Sequence, residues 1–223
     1  MIERKKYLER LIAKKENGLV KVITGIRRCG KSYLLFNIYK DYLKSIGVED
    51  ECIIRLALDD DENIKYRNPL ELGKYIRSLT VDESKIYYVF LDEIQKVVTI
   101  QNPYITGVED KIGFVDVVLG LMKHENIDVY VTGSNSKMLS SDILTEFRGR
   151  GDELHISPLS FSEFMSVYDG NKYDGWNEYV LYGGLPPVVL LQTTEQKVEF
   201  LKNLFKETYI NDIIARHSIK NKG

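Results

Sequence analysis

Gly25-Ile26-Arg27-Arg28-Cys29-Gly30-Lys31-Ser32 fits the pattern G-x-x-x-x-G-K-[ST], a phosphate-binding loop, and its flanks decide how the chain folds. Before it, Leu19-Val20-Lys21-Val22-Ile23-Thr24 is short, β-branched and apolar, which reads as a buried strand. After it, Ser32 to Tyr39 carries apolar residues at helical spacing. Strand, glycine loop and helix together are the context the pattern needs. Glycines let the backbone turn so that successive N–H groups face an anion, and the helix N-terminus adds partial positive charge. Lys31 then reaches the β- and γ-phosphates of a nucleotide, and the Ser32 hydroxyl holds Mg²⁺. The residues expected to line the nucleotide are Gly25, Ile26, Arg27, Arg28, Cys29, Gly30, Lys31, Ser32 and Tyr33.

Working outward, four more strand-like runs alternate with helical ones. Cys52–Leu58, Ile86–Leu91, Val129–Thr132 and Glu153–Ser157 read as strands. Asn68-Pro69 opens a helix with a cap and a proline in the first turn, and Ser160-Phe161-Ser162-Glu163 matches a capping box. Val97–Gly113 reads as a long connection with little periodicity, and Lys137–Phe147 as a helix. Beyond the fifth strand the chain is helical, with a break at Gly183-Gly184-Leu185-Pro186-Pro187 and a long helix from Thr194 to His217. The pattern predicts an α/β fold: an open parallel sheet with helices on both faces, ligands lying at the carboxyl ends of the strands.

Those ends carry the chemistry. Asp92 follows a continuous apolar run, as a Mg²⁺-holding Walker B aspartate does, and Glu93 beside it is placed to activate water. The alternative for Glu93 is a surface acid at a helix start. Ser134 or Asn135 closes a strand where it could hydrogen-bond the water or the γ-phosphate; Gly-Ser-Asn is also ordinary turn chemistry. Arg148 and Arg150 are interleaved with glycines before the fifth strand and are candidates to stabilise charge on phosphate, within one chain or across a subunit boundary. The roles of Arg27 and Arg28 stay open. Trp176, at helical spacing with Tyr179 and Val180, reads as core.

The 223 residues can bury a full core, and the net charge of -2, with both signs interspersed, gives no bulk basic field for nucleic acid or anionic membrane. Two cysteines, Cys29 and Cys52, lack metal-ligand spacing, and the three histidines are dispersed. A charged N-terminus and the lack of a span-length apolar run predict a cytoplasmic protein with no membrane partner.

The ordered set Gly-Ile-Arg-Arg-Cys-Gly-Lys-Ser, Phe-Leu-Asp-Glu-Ile-Gln, Val-Thr-Gly-Ser-Asn-Ser, Phe-Arg-Gly-Arg-Gly, Pro-Leu-Ser-Phe-Ser-Glu-Phe and Tyr-Gly-Gly-Leu-Pro resembles the bacterial and archaeal predicted ATPases of the AAA+ superfamily, from about Glu9 onward. The resemblance implies a P-loop ATPase core over residues 1–158 with five strands in the order 5-1-4-3-2, and a helical lid over residues 159–223. It implies Lys31 and Ser32 as Walker A and Asp92 and Glu93 as Walker B. Asn135 or Ser134 would be the first sensor, Arg148 or Arg150 the arginine finger, and Pro186 an adenine contact. Such proteins usually continue into a nuclease-like domain, so the chain looks like the ATPase part of a longer protein. The expected activity is Mg²⁺-dependent ATP hydrolysis coupled to conformational change, in a possible homo-oligomer. The alternatives are a nucleotide-gated switch with little turnover and a P-loop small-molecule kinase. DNA, a partner protein and self-assembly all remain open as targets.

Overall fold

The computed structural model describes residues 2–133, 145–147 and 149–206. The predicted strands form one parallel sheet: β1 (Val20–Thr24), β2 (Ile53–Ala57), β3 (Tyr87–Asp92), β4 (Ile127–Thr132) and β5 (Gly151–His155). Numbered this way, their order in space is β5-β1-β4-β3-β2, as the resemblance implied. Every pairing is parallel. The inner strands β1, β3 and β4 are buried at each residue, which is why their sequences run apolar instead of alternating.

One face of the sheet presents Val20, Val22, Val89, Leu91, Val129 and Val131. Helix α3 (Pro69–Leu79) covers it with Leu72 and Ile76, and α4 (Phe114–Leu121) with Val117, Val118 and Leu121. Asn68 caps α3 as predicted, its side-chain oxygen accepting the Leu70 N–H at 3.0 Å. The other face carries aromatic and polar groups. Phe90 and Tyr130 meet edge to face at 5.3 Å, and Tyr39 packs on both. Tyr39 belongs to α2, which follows the phosphate loop in three segments: Lys31–Tyr33, a π-helical stretch Leu34–Tyr39, and Lys40–Ser45. The N-terminal helix α1 is Lys5–Lys14.

The 97–113 connection is more ordered than its sequence suggested. Ile100–Gln101 pairs antiparallel with Lys111–Ile112, and the Asn102 N–H donates to the Asp110 carbonyl at 2.7 Å. A ladder of two residues per strand is too short to leave a period in the sequence.

The chain forms two compact units. A sheet unit takes Lys5–Thr24 and Lys31–His155; a helical unit takes Gly25–Gly30, Ile156 onward, and the N-terminal residues to Arg4. In the helical unit α5 (Phe161–Met165) starts at the predicted capping box, with Ser160 and Glu163 bonded reciprocally. It is followed by α6 (Lys172–Tyr182), α7 (Pro186–Val189) and α8 (Thr194–Asn203). Phe161, Phe164, Trp176 and Tyr179 stack together, with Phe161 and Trp176 edge to face at 5.0 Å. Trp176 is nonetheless 51% exposed, a correction to its reading as core: only one side of the indole meets the aromatic stack. Gly184 is required by close approach. A Cβ there would lie 2.2 Å from the Leu159 carbonyl oxygen, and the Gly184 carbonyl accepts the Leu159 N–H at 2.7 Å.

Candidate functional site

Register places the carboxyl ends of the strands in one row. Ala57 faces Asp92, Ile23 faces Thr132, and Thr24 faces His155. Asp92 closes β3 and is buried at 6% exposure. Its carboxylate accepts a hydrogen bond from the Thr132 hydroxyl, and its carbonyl accepts the Leu58 N–H at 3.1 Å. The backbone then turns sharply. Glu93 has φ 55 and ψ 47, a left-handed conformation that costs a non-glycine residue ~1–3 kcal/mol. The turn ends the strand, and the Gln95 amide donates to the Glu93 carboxylate. A reversed amide would set oxygen against carboxylate, so the bond fixes the orientation of Gln95. In the same unit Lys31 begins α2 and is buried at 5% exposure. Ser32 beside it is half-buried and Tyr33 is exposed.

The loop itself belongs to the helical unit, and three of its residues have positive φ: Gly25 (140°), Arg28 (63°) and Gly30 (99°). Gly25 tolerates no side chain, because a Cβ would sit 2.2 Å from the Ile156 carbonyl oxygen. Cys29 is fully buried, its sulfur 3.0 Å from that same Cβ position, so it is a small filler under the turn. Ile26 packs with Leu185, Val188 and Leu204. Pro186 opens α7, with its Cγ 3.9 Å from the Cβ position of Gly30, so the residue expected at the adenine does lie beside the loop. The Arg28 guanidinium lies over the ring of Phe200, 5.0 Å from its centroid.

Other expected residues are not brought to this edge. Arg150 precedes β5, and its carbonyl accepts the Val20 N–H at 2.8 Å, so it sits exposed at the amino edge of the sheet, the far end from Asp92. In a parallel sheet a residue that precedes a strand lies opposite the carboxyl ends, and that rule would have placed it. Ser134, Asn135 and Arg148 lie outside the described residues, as does the 137–144 part of the expected helix. Thr132, Gln95 and Phe200 are partners that the sequence reading missed. Thr132 alone left a signal, as a hydroxyl ending an apolar strand.

Hard oxygen donors suit Mg²⁺, and the Ser32 hydroxyl with the Asp92 carboxylate supplies that chemistry. Glu49, Glu51 and Cys52 also group their ligand atoms, but the Lys85 ammonium already binds both glutamates at 2.6 and 2.5 Å. At the amino edge, Lys21 is fully buried and paired with Asp128. The Tyr130 hydroxyl donates to Asp128 at 2.7 Å and meets the Tyr39 hydroxyl at 2.6 Å. Burial pushes the Lys21 ammonium below its ordinary pKa against the pull of Asp128, and pushes both phenols up. A cavity of about 290 Å³ opens at this end, lined in part by Glu16, Met122, His124 and Asp128.

The sequence model of a family described as AAA domain matches residues 17–165. An uncharacterised Haemophilus influenzae protein is 32% identical over 226 residues, covering 99% of this chain and 52% of that protein. The uncharacterised protein MJ1544 of Methanocaldococcus jannaschii is 32% identical over 219 residues, covering 91% of this chain and 43% of that protein. The chain thus spans about half the length of these relatives. The Walker-type ATPase PABY2304 of Pyrococcus abyssi superposes with a TM-score of 0.61 at 16% identity, covering 97% of this chain and 76% of that one. AMPPCP-bound DnaA from Aquifex aeolicus gives 0.53 at 15% identity, covering 96% and 67%. At these identities the structural likeness speaks for the fold. No helix among the described residues is long and apolar enough to cross a membrane.

Proposed function

The chain belongs to the AAA domain family, and from that premise we propose that it binds ATP with Mg²⁺, hydrolyses the β–γ phosphoanhydride, and couples nucleotide state to the conformation of its helical unit. The observation that carries hydrolysis is Glu93: a carboxylate in left-handed backbone directly after a buried, hydroxyl-bonded aspartate. Strained backbone of this kind concentrates at working sites, and a positioned carboxylate can take a proton from attacking water. Ser32 and Asp92 would hold Mg²⁺, which when bound neutralises charge on the phosphates. Lys31 contributes a buried cation to the β- and γ-phosphates, and the N–H groups of Gly25–Gly30 contribute donors.

The test is phosphate release from Mg²⁺-ATP by the parent chain, Lys31→Ala and Glu93→Gln over a protein concentration series. Turnover by the parent, lost in both variants while Glu93→Gln still binds ATP, is expected. Parental turnover in Glu93→Gln would overturn the assignment of the base. Arg150, at the far edge of its own sheet, acts on phosphate only from a neighbouring chain in this reading. Specific activity should then rise with protein concentration and fall in Arg150→Ala.

One observation favours a nucleotide-gated switch with slow turnover as the second reading. The loop that would hold the phosphates is packed into the helical unit through Ile26. ATP-dependent assembly with negligible phosphate release would support it.

A further inference from the structure

Arg28 is expected to line the nucleotide, yet the sequence left open what its side chain does, as it did for Arg27. It is exposed and holds a left-handed backbone at φ 63. Among the described residues its guanidinium makes no hydrogen bond or ion pair; its contact is the face of Phe200. Phe200 is half-buried on α8 and packs against the cluster of Leu185, Val188 and Leu204, as Ile26 does. An exposed cation–π contact is worth less than left-handed backbone at a non-glycine residue costs, so the stacking does not by itself account for the conformation. What stacking does is orient. A guanidinium held over a ring has the rotamers of its long side chain restricted before any ligand arrives, while its N–H groups can still donate.

We propose that Arg28 binds the phosphate chain of a nucleoside triphosphate, and that Phe200 is a positioning residue that holds the Arg28 guanidinium ready for it. The proposal rests on the nucleotide-binding reading above and deepens it by naming how the helical unit meets the ligand. By reciprocity, if the ring of α8 improves nucleotide affinity, bound nucleotide stabilises α8 by the same factor. The loop then reports occupancy to the helices through one stacked pair.

The experiment measures Mg²⁺-ATP affinity of the full chain by calorimetry for the parent, Arg28→Ala, Phe200→Leu, Phe200→Trp and the Arg28→Ala/Phe200→Leu double variant, with melting curves alongside. Arg28→Ala should weaken ATP roughly 10–100-fold, the loss expected for hydrogen bonds to a charged group. Phe200→Leu keeps apolar bulk and should weaken ATP about 2–5-fold, while Phe200→Trp, a better ring for cations, should bind at least as well as the parent. In the Arg28→Ala background, Phe200→Leu should change nothing. Amide exchange over α8 should slow with ATP in the parent and not in Arg28→Ala. Parental affinity in Phe200→Leu, or a loss of equal size in both backgrounds, would overturn the proposal; the latter outcome would assign Phe200 a packing role alone. No detectable ATP binding by the parent would instead overturn the nucleotide-binding reading, which keeps the two failures distinct.

Discussion

At the amino edge of the sheet, Asp128 accepts from the Lys21 ammonium, the Tyr130 hydroxyl and the Glu16 N–H, the last at 3.0 Å. Tyr88 at the same end donates to Glu16. At the carboxyl edge, Asp92 is also buried and also takes a hydroxyl, yet the next residue is forced into left-handed backbone and Glu93 remains partly open to solvent. Both ends bury acid, base and hydroxyl. The amino edge turns its groups on one another, and Glu16 there has φ 57, much as Glu93 has φ 55; the carboxyl edge sets its carboxylates at the strand ends where parallel sheets take ligands. The kinds of residue and even the backbone strain are shared, so function has to be read from which end of the sheet they stand at.

The largest expected effect tests that division directly. Glu93→Gln should lower ATP turnover ~10²–10⁴-fold, as loss of a general base does, with an unchanged melting temperature. Asp128→Asn should do the reverse, costing stability and leaving the turnover of the folded protein near parental. If steady-state assays found turnover equally sensitive to both, the division between the ends would collapse. Next in size, Lys21→Met leaves Asp128 buried without its cation and should cost ~3–5 kcal/mol in urea unfolding. Adding Asp128→Leu should recover only part of that loss, because it removes the uncompensated carboxylate but takes the acceptor from the Tyr130 hydroxyl and the Glu16 N–H.

Smaller effects sharpen the picture. Thr132→Val removes the hydroxyl from Asp92 and should raise the Mg²⁺ concentration needed for half-maximal activity ~10–100-fold in a metal titration. The smallest effect concerns pH. The Tyr39 and Tyr130 phenols are raised above their ordinary value of 10.0, so the stability they contribute is complete below pH 10.0 and is lost as pH climbs through their folded values. Lys21 has the opposite sign. Its folded value is lowered from 10.5, so the unfolded chain binds more protons between the two values, and stability rises with pH across that window. Urea midpoints between pH 8 and 11 should climb gently and then fall, and Tyr39→Phe should make the fall shallower.

Much of this architecture was legible before any coordinates. The phosphate loop, the five strand runs and the caps at Asn68 and Ser160 are local signals, each written within a few residues. The Lys21–Asp128 pair was not. Lys21 interrupts an apolar strand, and its partner lies 107 residues away, brought alongside only by the order of the sheet. The same holds for Thr132 against Asp92, 40 residues apart, and for Arg28 against Phe200. Gln95 against Glu93 is local, yet depends on a backbone turn that no side chain announces. Arg150 illustrates a different failure: its spacing from the glycines drew notice, but its place followed from strand direction.

The π-helical stretch in α2 sets a phase. An ordinary helix advances about 40° beyond a full turn with each step of four residues, so a side that repeats every fourth residue drifts around the axis. Leu35, Tyr39 and Leu43 repeat in this way, and all three are fully buried. The Lys40 N–H reaches back to the Leu35 carbonyl, and this looser winding cancels part of the drift. The added residue thus acts as a vernier, bringing Tyr39 round to the sheet while Lys31 stays buried at the front of the same helix. Deleting one residue within Leu34–Tyr39 would leave a regular helix whose two ends could no longer both be in step.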